Sequence, residues 1–279
     1  MAGKLYVVGT PIGNLGDMSP RALEILRQVD FVAAEDTRVS GKLLSLFEIK
    51  KPMVSYFQHN LRERGEIVLE RILNGEDCAI VTDAGMPCIS DPGEDLVCLC
   101  ARQGVEVLVI PGPSAAVSAL AVSGLPTSRF SFEGFLSVNR RSRMEHLQEV
   151  REDRHTLIFY EAPHKLLRTL EDMMEVLGDR RVSLCRELTK LHEEVIRTTF
   201  SGALELYREK PPRGEYVLVV EGAAAPAPGE GLTLEAAAER VRALCAAGEP
   251  ASSAARTVAR ETGYKKGELY RLALQAEEE

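Results

Sequence analysis

Cys78-Ala79-Ile80-Val81-Thr82-Asp83-Ala84-Gly85-Met86-Pro87-Cys88-Ile89-Ser90-Asp91-Pro92-Gly93 is the stretch whose reading decides the fold. Its first four residues form an apolar run with the length of a buried strand. Residues 94–103, which follow, have helical spacing. Residues 82–93 between them hold two Gly, two Pro and two Asp and almost no long side chains. Such a loop lets backbone approach a ligand at the carboxyl end of a strand. It lacks the Gly-Lys-Ser/Thr of a phosphate cradle, and it carries carboxylates where a phosphate needs donors. A neutral or cationic ligand is expected there, not a triphosphate.

The same alternation runs outward in both directions. Upstream, Leu5–Val8 reads as a strand ending in the Gly-rich loop GTPIGNLGDMS. A helix follows, with Ser19 as N-cap and Pro20 at its first position. Phe31–Ala34 reads as a strand that runs straight into Glu35-Asp36-Thr37-Arg38. A helix near 41–47, a strand near 53–56 and a helix over 62–73 complete the upstream part. Downstream, a strand over 105–110 enters PGPSA and a helix over 115–122. A second α/β unit begins after Gly124-Leu125-Pro126. It contains SFEGFL (131–136), the Arg-rich NRRSR (139–143), and a strand over 156–160 leading into Glu161-Ala162-Pro163-His164. A helix over 165–177 precedes a strand over 182–185 that leads into Arg186-Glu187-Leu188-Thr189-Lys190. A helix over 200–209 and a last strand over 217–220 close the unit. This pattern predicts an α/β fold with a largely parallel sheet, in two domains, 1–123 and 124–222. Residues 223–231, rich in Ala, Pro and Gly, read as a linker. Residues 232–279 read as a helical tail, with helices over 234–246 (Thr233 as cap), 252–262 and 265–274. The last two are joined through Gly263, which is helix-turn-helix chemistry.

The bulk numbers narrow the class. The 279 residues are 45% hydrophobic and 27% charged, ordinary for a soluble globular chain. No apolar run approaches the ~20 residues of a membrane span, and the start is not that of a signal peptide. The six Cys lack CxxC pairs and several sit in apolar runs, as in a reduced, cytoplasmic protein. Five singly spaced His give no metal motif. A net charge of −8 speaks against a surface coated for nucleic acid and leaves room for a local basic patch.

Each candidate site has a plain alternative. The loop from Gly9 through Thr10 and Pro11 to Gly16 satisfies neither G-x-G-x-x-G nor Walker A, so a phosphate loop and a tight strand-to-helix turn both stand. Asp83 is placed to hold ribose hydroxyls or to sit near a sulfonium; otherwise it is a turn Asp bonding nearby amides. Ser114 and Ala115 leave room for a flat ring at a helix N-terminus; otherwise Ser114 is an ordinary cap. Glu35, Asp36 and Arg38, then Arg186, Glu187 and Lys190, then Glu161 beside His164, are charged clusters that each follow a strand. In one cleft they would supply a base and hold a polyanion; singly they are solvated ion pairs. NRRSR touches phosphates or lies solvated between elements. In the tail, Arg256, Arg260, Lys265, Lys266 and Arg271 outnumber Glu261 and Glu268, as suits either a nucleic-acid contact or a dimer-stabilising helix pair.

Taken together, GTPIGNL, AAEDTR, VTDAGMPCISDPG, IPGPSA, FEGFL, FYEAPH and RELTKLHEE resemble the tetrapyrrole methylase superfamily over about residues 4–222. Within it they resemble the branch of ribosomal small-subunit RNA 2′-O-ribose methyltransferases, which the helical tail also fits. The resemblance implies two α/β domains with S-adenosylmethionine in the cleft between them, and a homodimer. It implies a cytidine ribose in the decoding region of 16S rRNA as acceptor. Cofactor contacts carry over to Asp83, Ala84, Gly85, Met86 and Pro87, to Ser114 and Ala115, to Tyr160 and Glu161, and further to Cys185, Arg186 and Glu215. TDAGMP is one or two residues out of register with the GGDP form of the small-molecule branch, which leaves the counterpart of that Asp open. Glu35, Asp36, Arg38, Arg186, Glu187 and Lys190 are expected on the acceptor side. The competing readings are a corrinoid- or sirohaem-type small-molecule methyltransferase and an RNA-binding assembly factor without chemistry.

Overall fold

The computed structural model describes residues 1–57, 61–224 and 232–275; most of the linker expected at 223–231 and the end of the tail lie outside them. The first half alternates strands and helices: β1 (Leu5–Val8), α1 (Pro20–Gln28), β2 (Phe31–Ala34), α2 (Thr37–Leu46), β3 (Met53–Ser55), α3 (Leu61–Leu73), β4 (Cys78–Val81), α4 (Glu94–Arg102), β5 (Val107–Ile110) and α5 (Ala115–Ser123). The five strands pair in the order β3-β2-β4-β1-β5, each with its neighbour in parallel. Ala22, Leu26 and Leu44 cover one face of this sheet. Val68, Ile72, Leu96 and Cys100 cover the other. A sheet buried on both faces needs continuous apolar strands, which is why FVAA and CAIV carry no alternation. The caps read from sequence form: Ser19 Oγ accepts the Ala22 N–H at 3.1 Å, and Pro20 opens α1. Successive connections diverge from the middle of the sheet, so the carboxyl ends of β1 and β4 border the crevice where such sheets bind ligands.

α2 begins at Thr37, earlier than the 41–47 expected. Asp36 is its N-cap, accepting the Arg38 N–H at 2.8 Å. The β-branched Thr37 and Val39 mask this first turn in the sequence.

The second half comprises β6 (Phe130–Phe135), α6 (Arg140–Glu149), β7 (Thr156–Glu161), α7 (Leu166–Leu177), β8 (Arg181–Arg186), β9 (Glu194–Thr199), α8 (Phe200–Glu209) and β10 (Tyr216–Val220). Its sheet has the order β6-β7-β10-β8-β9. Only β6 and β7 are parallel; β10 runs antiparallel to both β7 and β8, and β8 to β9. The largely parallel arrangement expected from the alternation therefore holds for the first sheet alone. A short return joins β8 to β9, and such a return permits only antiparallel pairing. β9 is invisible as an apolar run because it is an edge strand, with Arg197 exposed and the rest half-buried.

α6, α7 and α8 bury their apolar stripes on one face of this sheet, around Leu147, Leu170, Phe159, Phe200 and Leu218. The other face is covered by α5. Ala116, Ala119 and Leu120 pack on Ile158, Cys185, Val217 and Val219. α5 thus leaves the first sheet and seats on the second, and residues 1–151 with 155–221 form one compact unit.

NRRSR is not a loop. Asn139 caps α6, its Oδ1 accepting the Ser142 N–H at 3.3 Å. Arg143, only 3% exposed, donates Nε and Nη2 to Asp172 Oδ2 at 2.7 and 2.6 Å, and Nη1 to the carbonyls of Ser137 and Val138. Arg140 pairs with Asp172 and Glu175, and Arg141 with Glu145. The Arg143 guanidinium is thus occupied by the fold, whereas Arg140 and Arg141 stay exposed in surface ion pairs.

Residues 152–154 and 222–279 form the second compact unit. Its helices are α9 (Leu234–Ala246), α10 (Ala251–Thr262) and α11 (Lys266–Gln275). Ala237, Val241, Ala254, Ala255, Val258 and Leu269 make its core. Thr233 caps α9, and Gly263 ends α10 at φ +74°, the left-handed conformation its sequence position predicts. Arg256, Arg260, Lys265 and Arg271 are exposed. Among the described residues no helix is long and apolar enough to cross a membrane.

Asp172→Ala is expected to cost roughly 3–5 kcal/mol, because it strands the Arg143 guanidinium in the interior; urea unfolding of the two proteins checks this.

Candidate functional site

Four strand ends of the first sheet meet in one place, and the backbones of three of them touch. The Thr10 N–H donates to the Gly85 carbonyl at 2.9 Å and the Gly85 N–H returns to the Thr10 carbonyl at 3.2 Å. This antiparallel bridge ties the loop after β1 to the loop after β4. Gly9 lies against Gly112, in the loop after β5. A Cβ on Gly9 would fall 2.7 Å from the Gly112 Cα and 2.7 Å from Met86 Sδ. Gly85 takes φ +87°, open to glycine at little cost. The loop after β2 is joined by side chains. The Thr82 hydroxyl donates to Glu35 Oε2 at 2.7 Å, and the Asp36 N–H donates to Asp83 Oδ1 at 3.3 Å.

The second sheet supplies the facing wall. At the end of β7, Tyr160 places its hydroxyl as acceptor for the Ala116 N–H at 3.2 Å, in the first turn of α5. Ser114 holds the N-cap position there, but its side chain makes no capping bond and is free for another partner. A bulge between Phe132 and Gly134 turns Phe135 toward the same space, edge-on to Tyr160 with ring centroids 5.4 Å apart. After β8, Glu187 and Thr189 take φ +50° and +66°, so that the loop folds back on itself. Lys190 Nζ bridges Glu187 Oε1 at 2.9 Å and Glu215 Oε2 at 2.8 Å.

These walls enclose a cavity of about 500 Å³, inside the ~300–1,000 Å³ of small-molecule sites. Of the residues expected for a cofactor, Asp83, Ala84, Gly85, Met86, Ser114, Ala115, Tyr160, Glu161, Cys185 and Glu215 line it. Gly9, Thr10 and Pro87 lie behind the wall, buried, where Thr10 Oγ1 donates to the Thr82 carbonyl at 3.3 Å. Pro11 and Arg186 are not on it either. Of the residues expected on the acceptor side, Glu35, Glu187 and Lys190 line the cavity, whereas Asp36, Arg38 and Arg186 do not. Asp36 caps α2 and pairs with Arg38 at 2.6 Å, which holds its carboxyl down at about 2. Arg186 pairs with Glu194 at 3.2 Å. Glu161 is buried and committed to Lys165, Thr169 and the Ala162 N–H.

Sequence reasoning overlooked Asp91, Phe135 and Thr82 on the wall. The pairing of Asp with Pro and Gly in SDPG was a signal of a tight turn at the same strand end.

Among the described residues, six carboxylates line the cavity (Glu35, Asp83, Asp91, Glu187, Glu215 and Glu161, the last paired with Lys165 behind it) against one lining cation, Lys190, which two of them already hold. Burial, then repulsion from Glu35, raises the Asp83 carboxyl above its usual range and pushes Asp91 up to about 6. Glu187 is lowered by its bond from Lys190. For Lys190, burial acts downward, but the bonds to Glu215 and Glu187 outweigh it and leave the ammonium firmly charged. Such a wall repels phosphates and welcomes a cation beside apolar groups. Among the described residues no group of His, Cys, Asp and Glu is arranged to hold a metal ion.

Residues 4–204 match the family described as Tetrapyrrole (Corrin/Porphyrin) Methylases. The chain belongs to that family. Residues 233–277 match the RsmI C-terminal HTH domain. Curated relatives named "Ribosomal RNA small subunit methyltransferase I" place it in that branch. One from Synechocystis is 46% identical over 99% of both chains, and one from Haemophilus influenzae is 45% identical over 98% of this chain and 97% of its own. A third, from Thermotoga maritima, is 48% identical over 79% of this chain and 99% of its own, and is therefore a shorter chain. Among solved structures, diphthine synthase superposes with a TM-score of 0.63 at 17% identity, covering 78% of this chain and 89% of its own. Uroporphyrin-III-C-methyltransferase from Thermus thermophilus gives 0.55 at 21%, covering 78% and 94%. At these identities the superpositions establish the shared methylase fold.

Gly9→Ala is expected to push the loops after β1, β4 and β5 apart, at roughly 1–3 kcal/mol of overpacking, with loss of ligand binding in the cavity. Thermal melts and calorimetry with S-adenosylmethionine read the two effects.

Proposed function

We propose that this chain is an S-adenosylmethionine-dependent methyltransferase that modifies the 2′-hydroxyl of a cytidine ribose in the decoding region of 16S RNA, in the cytoplasm. The observation that carries the reading is the convergence of seven strand-end segments on a cavity that is acidic and part aromatic. The donor set fits a sulfonium nucleoside. Phe135, Met86 and Tyr160 offer faces and edges for a purine, Ser114 an unused hydroxyl, and Ala84 and Ala115 leave room for a close backbone approach. Glu35 and Asp83 offer carboxylates to the cationic part and to ribose hydroxyls. When bound, the cofactor supplies a methyl group on a leaving group that needs no activation. The protein's share is then to align the acceptor oxygen and take its proton. Glu35, Glu187 and Lys190 face the acceptor in this reading. Asp36, Arg38 and Arg186 act behind them, by fixing the start of α2 and the end of β8.

The helical tail supports an RNA acceptor over a tetrapyrrole, which needs no basic helix pair. Its exposed Arg256, Arg260, Lys265 and Arg271 suit phosphate contacts. The exposure of Val109, Val117 and Val122, apolar side chains on β5 and α5, supports a homodimer in which a second copy covers them.

Transfer of labelled methyl from S-adenosylmethionine to small ribosomal subunits and to free 16S RNA, followed by mapping of the label, tests the reading. Label on a cytidine 2′-oxygen is expected; no label in either RNA, or label on a base, overturns it. Deleting residues 232–279 is expected to leave cofactor affinity within about twofold while weakening subunit binding by about tenfold or more and flattening its salt dependence.

A further inference from the structure

Asp91 has no task in the reading above beyond its charge. It sits in a turn built under strain. Cys88 and Ser90 take φ +69° and +64°, and Gly93 takes +133° where a Cβ would fall 2.7 Å from Cys88 Sγ. That turn carries Asp91 back over the ends of β2 and β4. A second cavity of about 400 Å³ opens beside the first, walled by the turn over 90–95, Glu35 and Cys98. Glu35, Ser90 and Asp91 line both cavities. A transfer between two substrates requires their two pockets to meet at the atom that moves, and these three residues form the meeting point.

Of the carboxylates near this junction, Asp91 shares the Thr82 hydroxyl with Glu35. Glu35 Oε2 accepts the Thr82 hydroxyl, and Asp83 Oδ1 accepts the Asp36 N–H. Asp91 is half-buried and is faced by Glu35 from the end of β2, Thr82 and Asp83 from the end of β4, Tyr160 from β7 and Cys88 from its own turn. None of these groups carries positive charge. We propose that Asp91 is the proton acceptor for the hydroxyl that becomes methylated, with Glu35 and Thr82 as positioning residues. The proposal rests on the methyl-transfer reading of the cavity. The acceptor oxygen forms the new C–O bond. The methyl–sulfur bond breaks with its electron pair remaining on sulfur, which becomes neutral. The hydroxyl proton passes to the Asp91 carboxylate and on to solvent, so the positive charge of the sulfonium leaves as that proton. Burial and the neighbouring carboxylates lift Asp91 to about 6. It is therefore ionised at neutral pH yet more basic than an ordinary aspartate, the condition for a general base.

The test is single-turnover transfer of labelled methyl from S-adenosylmethionine to small ribosomal subunits across about pH 5 to 9, with cofactor affinity measured alongside by calorimetry. The wild-type rate is expected to rise through about pH 6 and then level. Asp91→Asn is expected to bind S-adenosylmethionine within about twofold of wild type, to transfer methyl roughly 10²–10⁴-fold more slowly, and to lose the acid limb. Asp91→Glu is expected to recover part of the rate. A rate for Asp91→Asn within about threefold of wild type, or an acid limb that survives in it, overturns the proposal. So does loss of cofactor binding in that variant, which would make Asp91 a cofactor holder. Failure of the underlying reading looks different: wild type itself then transfers no label, and both ideas fall together.

Discussion

The site depends on backbone-to-backbone contact between the loops that leave β1, β4 and β5. The Thr10–Gly85 bridge and the Gly9–Gly112 contact bring three loops closer than side chains would allow. Each of these glycines is there for space or for positive φ, and each substitution would separate loops that must act as one surface. The bridge also spends the loop donors on one another. On the cavity wall carboxylates then outnumber cations, and that sets the sign of the ligand the site prefers.

α5 carries the second constraint. The helix is apolar on all sides; it leaves the first sheet to pack one side on the second, and Val117 and Val122 stay exposed on another. Its N-terminus is capped across the cavity by Tyr160 rather than by Ser114. One hydrogen bond thus couples the two walls, and the local cap is left free for a ligand. Asp36 does the opposite: a residue that reads as a catalytic candidate is consumed in capping α2, and the carboxylate that reaches the cavity from that strand end is its neighbour Glu35.

The charged stretches divide in the same way. NRRSR and Glu161 read as surface chemistry, yet Arg143 and Glu161 are buried, and their partners Asp172, Lys165 and Thr169 satisfy them inside the fold. RELTK reads alike and remains at the cavity, where Lys190 holds Glu187 and Glu215 in place. A charge run does not announce which it is, because the partner that decides sits up to some thirty residues away, as Asp172 does from Arg143.

Short-range physics made much of this protein legible in its sequence. The apolar runs gave the strands of the first sheet, Ser19, Thr233 and Gly263 gave helix ends, and the Gly- and Pro-rich loops after strands marked the strand ends that border the cavity. The ordered motifs pointed to the methylase family. These features act within a few residues, so the sequence states them directly. Tertiary structure alone decided the antiparallel pairing of β10 and the edge strand β9, since pairing partners and burial on one face only are not local properties. It also decided that Asp91 stands where two cavities meet. That position, and the burial and repulsion that come with it, arise from Glu35 and Tyr160 at the ends of two other strands and from Asp83 in the same loop, brought together only when the chain is folded.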